Sequence, residues 1–143
     1  SVVDDEAEAF ALVDTFVRNL LAGDVEGAYG LQYGRNARSI QQLTWCSQEM
    51  IRGSFQNWGL EKLTGTGVNR SQGEIGVALY GDFRDYYDGQ RLPIKHYSDP
   101  EGYDEYLYAI IAYVGGEAKI IRAPMCGMDS PFSRVVSQDF DGN

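Results

Sequence analysis

Apolar positions in the first 58 residues recur with helical spacing, and most of the remaining chain alternates with the period of a strand. Phe10, Val13, Val17 and Leu20 are spaced by three or four, with Phe16 and Leu21 widening the stripe, which predicts a first helix from about Asp5 to Ala22. Asp4, Asp5, Glu6 and Glu8 sit at its start, where negative charge favours the positive end of the helix dipole. Gly23 stops this helix, and Asp24 is placed to cap a short second one, Val25 to Leu31, which Gly27 and Gly30 weaken. Ser39 and Gln42 form a capping box that predicts a third helix to about Trp58, with Ile40, Leu43, Cys46, Met50 and Phe55 inward, Gly53 as a bend and Gly59 as the terminator.

Strand patterns follow at Leu60 to Asn69, Glu74 to Tyr86, Tyr103 to Val114 and Glu117 to Ala123. In the third of these, Tyr106, Tyr108, Ile110 and Ala112 face one way, and Leu107, Ala109, Ile111 and Tyr113 the other. Gly115-Gly116 predicts a tight hairpin, and Asp88-Gly89 a second turn returning through Gln90 to Ile94, where Pro93 demands an edge. Lys95 to Gly102 reads as a loop, and the tail from Pro124 as irregular and frayed at its end. Three N-terminal helices followed by a mostly antiparallel sheet make an α+β domain, with the helices on one face of a curved sheet that a long helix can close. The 143 residues suit one domain with its core over about 5–123.

Net charge narrows the partners. Twelve basic against 21 acidic residues give −9, and a chain without a basic cluster is repelled by phosphate backbones and anionic membranes, so nucleic acid is not expected. No apolar run approaches the roughly 20 residues that span a bilayer. The chain starts at Ser1. The expectation is a processed or truncated chain, with any signal peptide or membrane tether upstream. Two cysteines, Cys46 and Cys126, lie too far apart for a zinc or C-x-x-C motif. They are either two unrelated buried thiols or a disulfide between the third helix and the segment after the last strand. The second is favoured because it would bridge the two halves of the fold, stabilising it by about 4 kcal/mol and implying an oxidising compartment.

The connection Leu20-Leu21-Ala22-Gly23-Asp24-Val25-Glu26-Gly27-Ala28-Tyr29, set between a long amphipathic helix and a third helix with long strands after it, resembles the nuclear transport factor 2-like superfamily. That resemblance spans about residues 5–123 and implies a cone built from a bent sheet and three helices. The superfamily includes isomerases, dehydratases, transport adaptors and small extracytoplasmic bacterial proteins, and the chain is most similar to the last group.

The candidate chemistry is sparse. His96 is the single histidine, in a polar loop beside Lys95, where an exposed imidazole is the expected state. Asp82 lies late in a strand; desolvated inside an apolar cone, its carboxyl would rise in pKa and serve as a general base, the role a pocket histidine or aspartate has in cone-fold dehydratases. Tyr80, Tyr106, Tyr108 and Trp58 are candidates for a ligand or partner surface, tyrosine combining a flat apolar body with a polar tip, although β-propensity alone also places aromatics in strands. No phosphate loop, serine-nucleophile motif, calcium loop or metal cluster stands in the chain, and no cofactor is expected. Two functions follow as expectations. The first is a non-enzymatic extracytoplasmic module that binds an unknown protein partner or a small apolar ligand, with the tyrosine face also available for a homodimer. The alternative is a small isomerase- or dehydratase-type enzyme using Asp82 or His96, and a carrier without chemistry lies between them.

Overall fold

A computed structural model describes residues 2–64, 67–85, 87–94, 107–124, 126 and 132, with side chains from residue 5 onward. The elements are α1 (Val2–Leu21), α2 (Val25–Tyr29), α3 (Ile40–Arg52), β1 (Gln56–Leu63), a 3-10 turn (Arg70–Gln72), β2 (Ile75–Arg84), β3 (Arg91–Ile94), β4 (Leu107–Val114) and β5 (Glu117–Arg122). This is the expected α+β order, with helices first and an open five-stranded sheet after them. All named strand pairs are antiparallel, in the order β1-β2-β4-β5 with β3 also on β2.

The helical stripe of α1 buries Ala9, Val13, Phe16, Val17 and Leu20, whereas Phe10 is only half-buried at its margin. Each large side chain so buried contributes at most about 1.5–3 kcal/mol. Gly23 takes a positive φ of 79° that ends the helix, and the Asp24 carboxylate then accepts the Gly27 N–H at 3.0 Å to start α2. The capping box of α3 forms as the spacing predicts: Gln42 N–H donates to Ser39 Oγ at 3.1 Å and Ser39 N–H to Gln42 Oε1 at 2.9 Å. Leu43, Cys46, Met50 and Phe55 are buried, but Ile40 is exposed on the solvent side of the first turn.

The third helix does not reach Trp58. Gly53 caps it, Ser54 turns the chain at a φ of 47°, and β1 begins at Gln56, so Trp58 and Gly59 lie on a strand. Gly59 pairs with Tyr80 instead of ending a helix, and β1 is finished by Leu63. Cross-strand pairing with β2 outweighs helical propensity here. Pro93 stands on β3, which among the described residues pairs only with β2, as an edge requires. Gly115 and Gly116 both have positive φ, 60° and 81°, as the tight β4–β5 hairpin demands.

The core forms where α1 packs on β2 and β5. Val77, Leu79, Phe83, Leu107, Ala109, Ile111 and Ile120 meet the helices there, matching the parity read for β4. The other face is not the exposed tyrosine surface expected. Ala78, Leu63 and Ile110 on it are 0%, 1% and 5% exposed, and Tyr80 and Tyr108 are half-buried. Val68 and Leu63 press on Gly76 so closely that a Cβ there would lie 2.7 Å from Val68 Cγ2.

Two residues tie the C-terminal segment to this core: the disulfide is the one favoured from the sequence, and the return of Phe132 was not expected. Cys126 forms a disulfide with Cys46, with Cα atoms 5.1 Å apart. Phe132 is 0% exposed, packed edge-on against Phe55 and Phe83 at centroid distances of 5.2 and 5.5 Å.

Candidate functional site

The β2–β3 hairpin brings an arginine to Asp82. Arg91 lies diagonally across from Asp82 on the same face, since Asp82 pairs with Pro93 and Arg84 with Arg91. Arg91 Nε donates to Asp82 Oδ1 at 2.6 Å, and Arg91 Nη2 joins the same ion pair. Asn57 Nδ2 donates to Asp82 Oδ2 at 2.9 Å. Arg91 also donates to Ser54 O at 2.9 Å, so one guanidinium ties the α3–β1 turn to the sheet. Burial by itself raises the Asp82 carboxyl pKa, but the Asn57 and Arg91 hydrogen bonds and the Arg91 charge outweigh it, and the net shift is downward. That is the reverse of the raised pKa expected of a base inside an apolar cone. Asp82 stays a carboxylate at neutral pH with both oxygens engaged.

Beside this network runs a groove between α1 and β1 of about 560 Å³, lined by Phe10, Asp14, Arg18, Asn57, Trp58 and Leu60 among others. A pairing irregularity between Gln56 and Gly59 shapes its wall, with Asn57 at a φ of 54°. Gly81 is needed behind it, because a Cβ there would lie 2.6 Å from Phe55 Cε1 and 2.9 Å from Trp58 Cβ. Trp58 is half-buried, and the Arg18 guanidinium lies 5.2 Å from its ring centroid while donating to Asp14 Oδ2 at 2.8 Å. Asn57 belongs to both features, lining the groove and holding Asp82.

Of the residues singled out in the sequence, Asp82 and Trp58 are thus brought to neighbouring places, linked through Asn57. Tyr80 covers Gly59, and Tyr108 lies on the same sheet face beneath Arg122, 5.6 Å from ring centroid to guanidinium. His96 and Tyr106 lie outside the described residues, as does the loop expected at Lys95 to Gly102. Arg91, Asn57 and Arg18 were missed. The first was legible in principle, since a hairpin turning at Asp88-Gly89 places Arg91 near Asp82 whatever the exact register.

Among the described residues no group of three metal-ligating side chains stands together, and no helix is long and apolar enough to cross a membrane. Compared with known proteins, the chain matches no family model, no curated protein and no solved structure.

Proposed function

We propose that the chain is a non-enzymatic binding module of an oxidising, extracytoplasmic compartment, holding a small ligand with a flat apolar body against Trp58 in the α1–β1 groove. The observation that carries this reading is the pairing of an indole with an open groove beside a carboxylate that is already neutralised. Aromatic rings offer area with little conformational cost on binding. The Cys46–Cys126 disulfide is consistent with an oxidising compartment. Three helices followed by an antiparallel sheet are the element order that the resemblance to the nuclear transport factor 2-like superfamily implies. An isomerase- or dehydratase-type reaction at Asp82 is disfavoured, because proton abstraction there would have to break the Arg91 pair at a carboxylate of lowered basicity.

The test is a titration of Trp58 emission in a Trp45→Phe background with indole, phenol and benzoate, mapped in parallel by amide NMR shifts. Saturable quenching by one of these probes is expected, with amide shifts that map to α1 and β1 and are lost in Trp58→Leu. Shifts that never saturate, or that map elsewhere, would overturn the reading.

A further inference from the structure

The loop from α2 to α3 runs along the edge of β5. Tyr33 N–H donates to Ile120 O and Ile120 N–H to Leu31 O, both at 2.9 Å, which closes the strand edge. Gln32, bridged to Ile120, then holds the next turn: its Oε1 accepts the Arg38 N–H at 2.8 Å and its Nε2 donates to Arg38 O at 3.0 Å. This chain of contacts sets Arg38 beside the end of β5, where its Nη2 donates to Ala123 O at 3.3 Å. Arg122 is held there by stacking on Tyr108. The result is a polar pocket of about 320 Å³ lined by Arg35, Asn36, Ala37, Arg38, Gln42 and Arg122.

Three of the chain's twelve basic residues therefore converge on one cavity of a protein whose net charge is −9. Among the described residues no carboxylate pairs with any of the three. Arg38 Nε is buried without an acceptor, which is costly for a charged donor. Burial first, and then repulsion from Arg122, lower the Arg38 pKa, against a smaller opposing effect of Tyr108. Gln42 has given its Oε1 to the capping box, leaving its amide NH₂ as a donor, and the N-terminal end of the thirteen-residue α3 adds a positive dipole. All of these groups are donors, and all favour an anion.

We propose that this pocket is a binding site for a phosphate or sulfate group carried on a small molecule. Guanidinium forks match the oxygens of a tetrahedral oxyanion, and about 320 Å³ is the lower end of small-molecule sites, larger than the bare ion needs. The protein's overall negative charge opposes this only weakly, because charges more than about 8–10 Å away are screened at ordinary ionic strength. The Cys46–Cys126 disulfide joins the two walls: Cys46 lies on α3, which Arg38 precedes, and Cys126 follows Arg122. The site is separate from the Trp58 groove and stands or falls without it.

The test titrates the oxidised full chain with inorganic phosphate and with phenyl phosphate, following backbone amide and arginine Nε–H resonances against sodium chloride of matched ionic strength. Saturable shifts at Arg38 Nε–H and the first turn of α3 are expected, with affinity falling roughly tenfold or more in Arg122→Gln, as loss of a charged hydrogen bond implies. Arg35→Gln, at an exposed position where folding is not at stake, is expected to weaken binding as well. Tighter binding of the phenyl ester would identify a substituted ligand, and equal affinity would identify the free ion as the source. Shifts that chloride reproduces, or that neither substitution changes, would overturn the proposal.

Discussion

Replacing Asp82 by asparagine keeps the shape of the side chain and removes its charge, which isolates what the Arg91 pair contributes. Asp82 accepts from Arg91 Nε at 2.6 Å and from Asn57 Nδ2 at 2.9 Å. Hydrogen bonds to charged groups are worth about 1.5–3 kcal/mol, but exposed ion pairs only about 0.2–1 kcal/mol. The side chains of Arg91 and Asp82 are 32% and 25% exposed, so the pair falls between these cases and Asp82→Asn is expected to cost about 1 kcal/mol at pH 7. With a urea slope of about 1–3 kcal/mol per molar, the unfolding midpoint drops by roughly 0.5 M. The pH dependence supplies the sign. The Asp82 pKa is lowered in the folded state, so its contribution is complete above the unfolded value of about 3.9 and is lost as pH falls through the lower folded value. Urea melts of both proteins from pH 7 to pH 2 should therefore show a gap that closes only below about pH 4. An Asp82→Asn protein as stable as the parent at pH 7, or a gap indifferent to acid, would refute the reasoning. A more stable variant would instead point to a strained, desolvated carboxylate of the kind a catalytic base requires.

Two further perturbations probe the C-terminal anchors. Phe132→Ala empties a fully buried site between Phe55 and Phe83 and is expected to cost about 3–5 kcal/mol, read as a fall in thermal midpoint; no change would mean that the ring is not part of the core. Removing the disulfide by Cys46→Ser with Cys126→Ser opens a link spanning 80 positions and is expected to cost about 4 kcal/mol by denaturant melts. The same double variant should bind phenyl phosphate more weakly than the oxidised parent, since the walls of the arginine pocket are then joined only by non-covalent contacts.

Much of the fold was legible because it is written in local patterns. The α1 stripe, the Ser39–Gln42 capping box, the Gly115-Gly116 turn and the alternation in β4 each require only neighbouring residues, and each is present where the pattern places it. Reading failed where one residue type suited two states. Gly59 reads as a helix stop, yet it lies in β1 because Tyr80 packs across it and leaves no room for a side chain. Asp82 reads equally as a pocket base or a paired surface acid, and the choice belongs to Arg91, nine residues away across a turn.

The sequence by itself determined the order of elements, the faces of α1 and β4, the edge position of Pro93 and the exclusion of the familiar metal and nucleophile motifs. Those features depend on spacing and on backbone preferences a few residues long. Only the tertiary structure decided that Asp82 is neutralised, that Phe132 returns to the core, that the second sheet face is largely covered, and that Arg35, Arg38 and Arg122 share one cavity. Arg38 and Arg122 are 84 positions apart in the numbering yet meet because the α2–α3 loop is hydrogen-bonded along the edge of β5. No periodicity records such a meeting, because it is set by long-range pairing and by the electrostatics of groups that are neighbours only once the chain has folded.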